Sequence, residues 1–133
     1  MKKIGYGAET LFYFCWIFCV IFIFKVVADK SLAGTIAGFG FVIMPSAFLY
    51  IELKRPKSNF IHLTIIVVFL VTSALPIILL RILNPGRPFD SIYLNGVSGK
   101  QLHQISNYTY LLMLISSLTR YLIEKRQIKR KIK

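Results

Sequence analysis

The chain has 133 residues, of which 56% are hydrophobic and 17% are charged, and 17 Lys and Arg against 5 Asp and Glu give a net charge of +12. A soluble domain of this size does not usually carry so much apolar surface, and a disordered basic tail is less apolar. The basic residues stand between long apolar runs, which argues against direct nucleic-acid binding. Length and composition favour one domain embedded in a membrane.

Four apolar runs are each long enough to cross a hydrocarbon core, which needs about 20 residues in a helix. Backbone groups in lipid must be hydrogen-bonded internally, and the strict alternation of barrel strands is absent, so we expect helices. We predict an all-α membrane protein with a single four-helix transmembrane domain over residues 1–133. The predicted spans cover residues 10–28, 32–51, 60–83 and 104–123.

The first run has one rival interpretation. Lys2 and Lys3 give the basic start of a cleavable signal peptide, but the run is long and aromatic and no clear cleavage site follows it. We expect it to be retained as a span. Cys15 and Cys19 lie one turn apart within this run, and we expect them to be buried small apolar side chains because a disulfide within a helix has poor geometry.

The distribution of basic residues predicts the orientation. With the N-terminus in the cytoplasm, 12 of the 17 Lys and Arg lie on the inner side and 5 on the outer side. The positive-inside rule then places both termini in the cytoplasm. We expect a multi-pass protein of a bacterial inner membrane.

The second run contains Gly34 and Gly38, a GxxxG pair of the kind that lets two helix backbones approach closely. Packing within one chain and packing between subunits both fit this pair, and the second predicts a homo-oligomer. Residues 29–31 form a connection so short that the first two spans must be antiparallel neighbours. Pro45 in the second run and Pro76 in the third are expected to kink their helices.

Two basic segments lie on the predicted inner side. One is the loop of residues 52–59, in which Ser58 or Asn59 can cap the next helix, and the other is the tail of residues 124–133. We predict that they dock a cytoplasmic protein partner or anionic membrane lipid, although the tail fits a simple topology anchor as well. The residues assigned to docking are Lys54, Arg55, Lys57, Lys125, Arg126, Lys129, Arg130 and Lys131.

On the outer side, residues 84–103 form the long connection, which opens with a dense turn signal. It is either a passive connector or a segment whose apolar residues fold back on the bilayer surface or a partner. Lys25 and Arg81 enter apolar runs from this side and can snorkel to the head groups. A second interpretation is an outer anion or head-group site near Asp29, made by Lys25, Lys30, Arg81 and Arg87.

No constellation of residues indicates catalysis. The acidic residues, Glu9 among them, form no evident pair and none lies at mid-bilayer depth, which argues against an enzyme and against proton-coupled transport. His62 and His103 lie near opposite ends of their spans, about 30 Å apart, so one metal or haem cannot bind both. We predict no catalytic residue, no cofactor and no metal site, and we expect both histidines at the membrane interface.

In outline, a small, strongly basic chain with four spans resembles two bacterial groups. One is the membrane subunit of Kiwa-type antiphage systems, which works with a cytoplasmic partner. The other is the GtrA-like family of polyprenol-linked sugar translocases, whose usual Arg-Phe…Gly start is absent from this sequence.

The basic inner segments and the long outer connection predict a non-enzymatic subunit that oligomerises and recruits a cytoplasmic partner. Its setting would be an envelope-sensing or phage-defence complex, in line with the first resemblance. The second resemblance implies a translocase of a lipid-linked substrate that uses Lys25, Arg81 and Arg87. A pore-forming membrane effector is the third hypothesis.

Overall fold

The computed structural model of the chain describes the backbone of residues 5–132 and the side chains of residues 5–130. This part of the chain is mostly helical, which confirms the predicted helical class. In chain order the elements are α1 (Tyr6–Val26), α2 (Lys30–Leu53), α3 (Phe60–Phe69), a π-helical turn (Leu70–Ala74), α4 (Leu75–Leu83), a 3-10 turn (Phe89–Ser91), β1 (Tyr93–Leu94), β2 (Val97–Ser98) and α5 (Gly99–Ile132).

Three segments of the described chain are long and apolar enough to cross a membrane. They are α1, α2 and the continuous stretch Phe60–Leu83 that joins α3 to α4. The fourth long helix, α5, has 34 residues and measures about 51 Å at about 1.5 Å per residue.

The helix surface is apolar on the outside of the bundle. On α1, Phe12, Phe18 and Phe22 are 57%, 69% and 64% exposed, as expected where lipid is the solvent. Cys15 and Cys19 are exposed free thiols on the same helix, so the prediction that they are buried is wrong. The physical reason is helical periodicity: α1 buries Tyr6, Glu9, Thr10 and Tyr13 against its neighbours, and both cysteines lie on the opposite side.

The predicted helix boundaries have side-chain caps. Asp29 precedes α2 and its carboxylate accepts hydrogen bonds from the backbone amides of Ser31 (2.8 Å) and Leu32 (3.2 Å). Asn59 precedes α3 and accepts a hydrogen bond from the amide of His62 at 2.8 Å. Each cap satisfies an N–H group that has no partner inside its helix.

The third span contains a π-helical turn ahead of Pro76. Pro76 has no N–H to donate to the carbonyl of Thr72, so regular α-helical bonding cannot continue through this point. The turn is also polar, because Ser73 is buried and its hydroxyl lies 3.0 Å from the hydroxyl of Thr109 on α5. Pro76 therefore interrupts regular α-helical bonding at a π turn, whereas α2 runs through Pro45 without a break. The kinks expected at these two prolines stay predictions.

Gly34 and Gly38 pack within the chain, against α4. A Cβ at Gly38 would lie 3.0 Å from the Cδ1 of Ile78, and a Cβ at Gly34 would overlap the guanidinium of Arg81. This decides between the two interpretations of the GxxxG pair. The pair is covered by the chain's own α4, so it gives no support to a homo-oligomer.

The connection that follows α4 is a compact unit, which we call the cap (residues 84–98). Its two short strands pair antiparallel, Tyr93 with Ser98 and Leu94 with Val97. Asn95 and Gly96 at the turn both have positive φ, 50° and 84°, as two-residue hairpin turns require.

The apolar residues of the cap pack on the ends of the helices. Phe89 and Ile92 are buried in one cluster with Leu80 of α4 and Leu102 of α5. Because α5 begins at Gly99, the connection is shorter than the predicted 84–103 and folds back on its own bundle. We call this end of the bundle the cap end and the opposite end the basic end.

The segment predicted as a basic tail continues α5 without a break. The helix is described as far as Ile132, and the side chains of residues 122–130 are exposed. No Gly or Pro follows Gly99 in the helix, so no helix-breaking residue bends it. We call residues 124–132 the basic extension.

Candidate functional site

Ionisable side chains from three parts of the chain meet inside the basic end of the bundle. Glu9 in the first turn of α1, Glu52 near the end of α2 and His62 in the first turn of α3 are 1%, 0% and 0% exposed. Arg55, in the connection between α2 and α3, joins them with a side chain that is 13% exposed. We call these four residues the polar cluster.

Glu52 closes the connection between α2 and α3. One of its oxygens accepts hydrogen bonds from the hydroxyl of Tyr6 at 3.0 Å and from the backbone amide of Asn59 at 2.6 Å. The other oxygen pairs with the guanidinium of Arg55. A buried carboxylate is stable only when such partners replace its lost hydration.

Glu9 connects α1 to α3. Its Oε1 lies 2.7 Å from Nε2 of His62 and accepts a hydrogen bond from the hydroxyl of Tyr13 at 3.1 Å. Its Oε2 has no hydrogen-bond partner and faces the Nη2 of Arg55 at 3.5 Å. The two carboxylates therefore share one guanidinium.

His62 extends the cluster to α5. Its Nδ1 lies 2.9 Å from the hydroxyl of Ser116, and a second contact of 2.7 Å joins the hydroxyls of Thr10 and Ser117 nearby. When Glu9 is ionised, the His62 Nε2–H donates to it, and Nδ1 is free to accept from Ser116. The basic ends of α1, α2, α3 and α5 are thus fastened by one network.

Arg55 is fixed in the cluster by an aromatic contact as well as by its acidic partners. Its guanidinium carbon lies 3.7 Å from the centre of the Tyr6 ring. Burial lowers the pKa of Arg55, but the hydrogen bond to Tyr6 and the charges of Glu52 and Glu9 outweigh burial, and the net direction is a raised pKa. Arg55 therefore stays charged.

These observations correct two expectations. The acidic residues do form a pair, because the short connection 27–29 makes α1 and α2 antiparallel and brings Glu9 beside Glu52. His62 is fully buried and contacts α1 and α5, and its place at the membrane interface stays a prediction. Arg55, assigned to docking, lies inside the cluster, where its charge is balanced by carboxylates.

The sequence carries a signal for this site. Glu9 stands near the start of one apolar run and Glu52 at the end of the next. Two helices joined by a tight turn bring such positions to the same depth, and Arg55 stands one turn after Glu52. The position of each acidic residue within its own apolar run does not show this pairing.

The formal charges of Glu9, Glu52 and Arg55 sum to one net negative charge. Arg120 of α5 brings a further cation to the edge of the site, 5.4 Å from the Tyr6 ring centre. Within the described residues, no group of three or more His, Cys, Asp or Glu side chains is arranged to hold a metal ion.

The other residues assigned to docking are exposed wherever their side chains are described. Lys54 and Lys57 lie at the surface of the connection beside the cluster, and the basic extension presents four more. The side chain of Lys131 lies outside the described residues. The exposed members on the extension are Lys125, Arg126, Lys129 and Arg130.

The predicted outer set divides into different environments. Lys25 and Arg87 are exposed, and the Lys30 Nζ donates a hydrogen bond to the carbonyl of Phe24 at 2.5 Å. Arg81 is half-buried, with its guanidinium carbon 4.4 Å from the centre of the Phe89 ring. Asp29, expected as the local counter-ion, is occupied as the cap of α2.

No protein-family model matches the chain, and no curated protein or solved structure matches it. The Kiwa-type and GtrA-like resemblances stay predictions.

Proposed function

We propose that the protein is a four-span subunit of a bacterial inner membrane that recruits a cytoplasmic protein through its basic end. The observation that carries the proposal is the basic extension, which continues α5 beyond the polar cluster and exposes the cations of residues 125–130. The recruited partner is expected to present an acidic surface.

The internal bonding of α5 supports its role as the fourth span. α5 is less apolar than the other spans, but three of its polar side chains have partners in the bundle. Thr109 lies 3.0 Å from Ser73, Ser116 lies 2.9 Å from His62, and Ser117 contacts Thr10. Polar groups paired between helices are tolerated in lipid, since the alternative is an unsatisfied group.

The length of α5 supports a partner in solution. Its 34 residues amount to about 51 Å, whereas a bilayer with its head groups is about 40–45 Å thick. An unbroken helix leaves the membrane along its own axis, so the extension points away from the head groups. The polar cluster joins the helix ends next to the basic extension, so the extension keeps a defined direction relative to the bundle.

The arrangement of charges on the extension supports an acidic partner. Lys125 and Lys129 form one row four residues apart, and Arg126 and Arg130 form the neighbouring row, so these cations lie on one side of the helix. A surface that carries carboxylates is complementary to this side.

The orientation rests on the same residues. Cytoplasmic placement of both chain ends puts 12 of the 17 basic residues on the inner side, in agreement with the positive-inside rule. Reporter fusions test it: a cytoplasm-active reporter after residue 133 and a periplasm-active reporter inserted at residue 95 are both expected to work. The opposite pattern contradicts the orientation.

The recruitment test changes charge without changing length. A variant with Lys125, Arg126, Lys129 and Arg130 all replaced by Gln is compared with one in which Lys and Arg are exchanged at the same four positions. Co-purification from gently solubilised membranes is expected to lose one stoichiometric acidic protein in the first variant and retain it in the second. Equal recovery from both variants and the unaltered protein refutes recruitment through the extension.

Binding to lipid is tested separately. The same two variants are compared for flotation with phosphatidylcholine vesicles and with vesicles containing phosphatidylglycerol. A charge-dependent preference for the anionic vesicles, without loss of the protein partner, assigns the extension to the membrane surface and contradicts the proposal.

A further inference from the structure

The guanidinium of Arg81 occupies a prepared position at the cap end of the bundle. A Cβ at residue 34 would overlap it, so the glycine there leaves the space that the side chain fills. Phe89 of the cap covers the guanidinium at 4.4 Å, and Phe89 is itself buried. A side chain that only snorkels to water needs neither a glycine beneath it nor a ring above it.

The donors of this guanidinium are largely unused. Arg81 has five N–H donors, and its Nε is buried without a hydrogen-bond partner. Its Nη2 lies 3.4 Å from Nε2 of His103. Among the described side chains, no carboxylate lies within ion-pair distance of Arg81.

The acidic group that acts on this position is Asp90 of the cap. Its charge acts on both Arg81 and His103, but it makes no ion pair with either. A half-buried cation without a bonded anion is unfavourable. The unused N–H donors of Arg81 are suited to an anion that accepts two parallel hydrogen bonds.

From this geometry we propose that Arg81 binds the phosphate group of a membrane phospholipid, with His103 as its neighbour in the site. Arg81 stands two residues before the end of α4, and long basic side chains near the end of a membrane-spanning helix reach the level of the head groups. A planar guanidinium binds phosphate through two parallel N–H bonds, and stacking on an aromatic ring keeps it in position. The inference concerns the end of the bundle opposite the basic extension and does not depend on the recruited partner.

The test measures phospholipid that stays bound to the full chain. The purified protein in detergent is titrated with phosphatidylglycerol, and bound lipid is counted by native mass spectrometry. Arg81→Gln is expected to weaken binding at least about tenfold, which corresponds to about 1.4 kcal/mol. Lys100→Gln, an equal change of charge at an exposed position of the same end, is expected to leave binding unchanged.

Two further measurements keep the test decisive. Arg81→Lys retains the charge but removes the two parallel N–H donors of the guanidinium. This variant is expected to bind the lipid more weakly than the unaltered protein, even where its thermal unfolding is unchanged. Inorganic phosphate is added as a competitor: displacement of lipid shows that the phosphate group is recognised. Undiminished lipid binding by Arg81→Gln, or an equal loss in Lys100→Gln, overturns the proposal.

Discussion

Replacement of Arg55 by alanine leaves two buried carboxylates without the guanidinium that they share. Glu9 and Glu52 are 1% and 0% exposed. Loss of one partner from a buried ion pair costs about 3–5 kcal/mol of unfolding free energy, whereas an ion pair at the surface contributes about 0–1 kcal/mol. The hydrogen bonds from Tyr6 and Asn59 to Glu52 survive. The expected loss of stability is therefore near the lower bound, about 3 kcal/mol.

The free energy of unfolding is measured by titrating the purified protein in mixed micelles with dodecyl sulfate and following helicity by circular dichroism. Lys57→Ala is the matched control, an exposed cation in the same connection, expected to change stability by less than about 0.5 kcal/mol. Glu52→Gln added to Arg55→Ala removes one unpaired charge and is expected to recover about 1–2 kcal/mol. Equal stability of Arg55→Ala and Lys57→Ala would refute the reasoning.

Three further predictions concern the cap end. Gly34→Ala overlaps the Arg81 guanidinium and is expected to lower the unfolding free energy by about 1–3 kcal/mol; Arg81→Ala in the same chain should recover most of this loss, and no recovery contradicts the packing. Gly96→Val forces a branched side chain to positive φ and is expected to raise hydrogen exchange in the hairpin, with unchanged exchange in α1 as the internal control. Partial burial and the charge of Arg81 lower the pKa of His103, which precedes the predicted span, and Asp90 opposes them. The folded state then binds fewer protons than the unfolded state, so stability should fall as pH drops below about 6.5; His103→Gln should remove this slope, and an unchanged slope assigns it elsewhere.

The local structure was predictable where single residues decide it. The tight connection predicted at residues 29–31 lies at residues 27–29 and joins an antiparallel pair of helices, and Asn59 caps α3. Each conclusion follows from the chemistry of one residue or from chain length. The first three of the four predicted apolar runs agree with the segments able to cross a membrane, and the fourth span stays a prediction.

The polar cluster was not predicted, because it depends on residues far apart in the chain. Glu9 and His62 are separated by 53 positions, and the contact between them exists only after three helices pack. In a hydropathy profile, such residues are visible only as polar positions at the ends of apolar runs. Whether an interruption faces water or a buried partner is decided by tertiary structure.

The cap shows the same limit for an apolar segment. The apolar residues Phe89 and Ile92 indicate a connection that folds back on a surface, and the sequence suggests the bilayer or a partner as that surface. The surface is the chain's own, at Leu80 and Leu102. The role of Gly34 was also ambiguous, because a small residue accommodates an arginine side chain as readily as a second helix.

The π turn at residues 70–74 sets the rotational phase between the two halves of the third span. A π turn contains about one residue more than an α turn, and each residue of a helix advances by about 100°. Conversion of this turn to α geometry at unchanged chain length would rotate His62 relative to Arg81 by about that angle, whereas deletion of one residue with a return to α geometry would leave their relative direction nearly unchanged. The converted helix could keep His62 against Glu9 or Arg81 under Phe89, but not both, so the wider π turn keeps the two ends of the bundle mutually compatible.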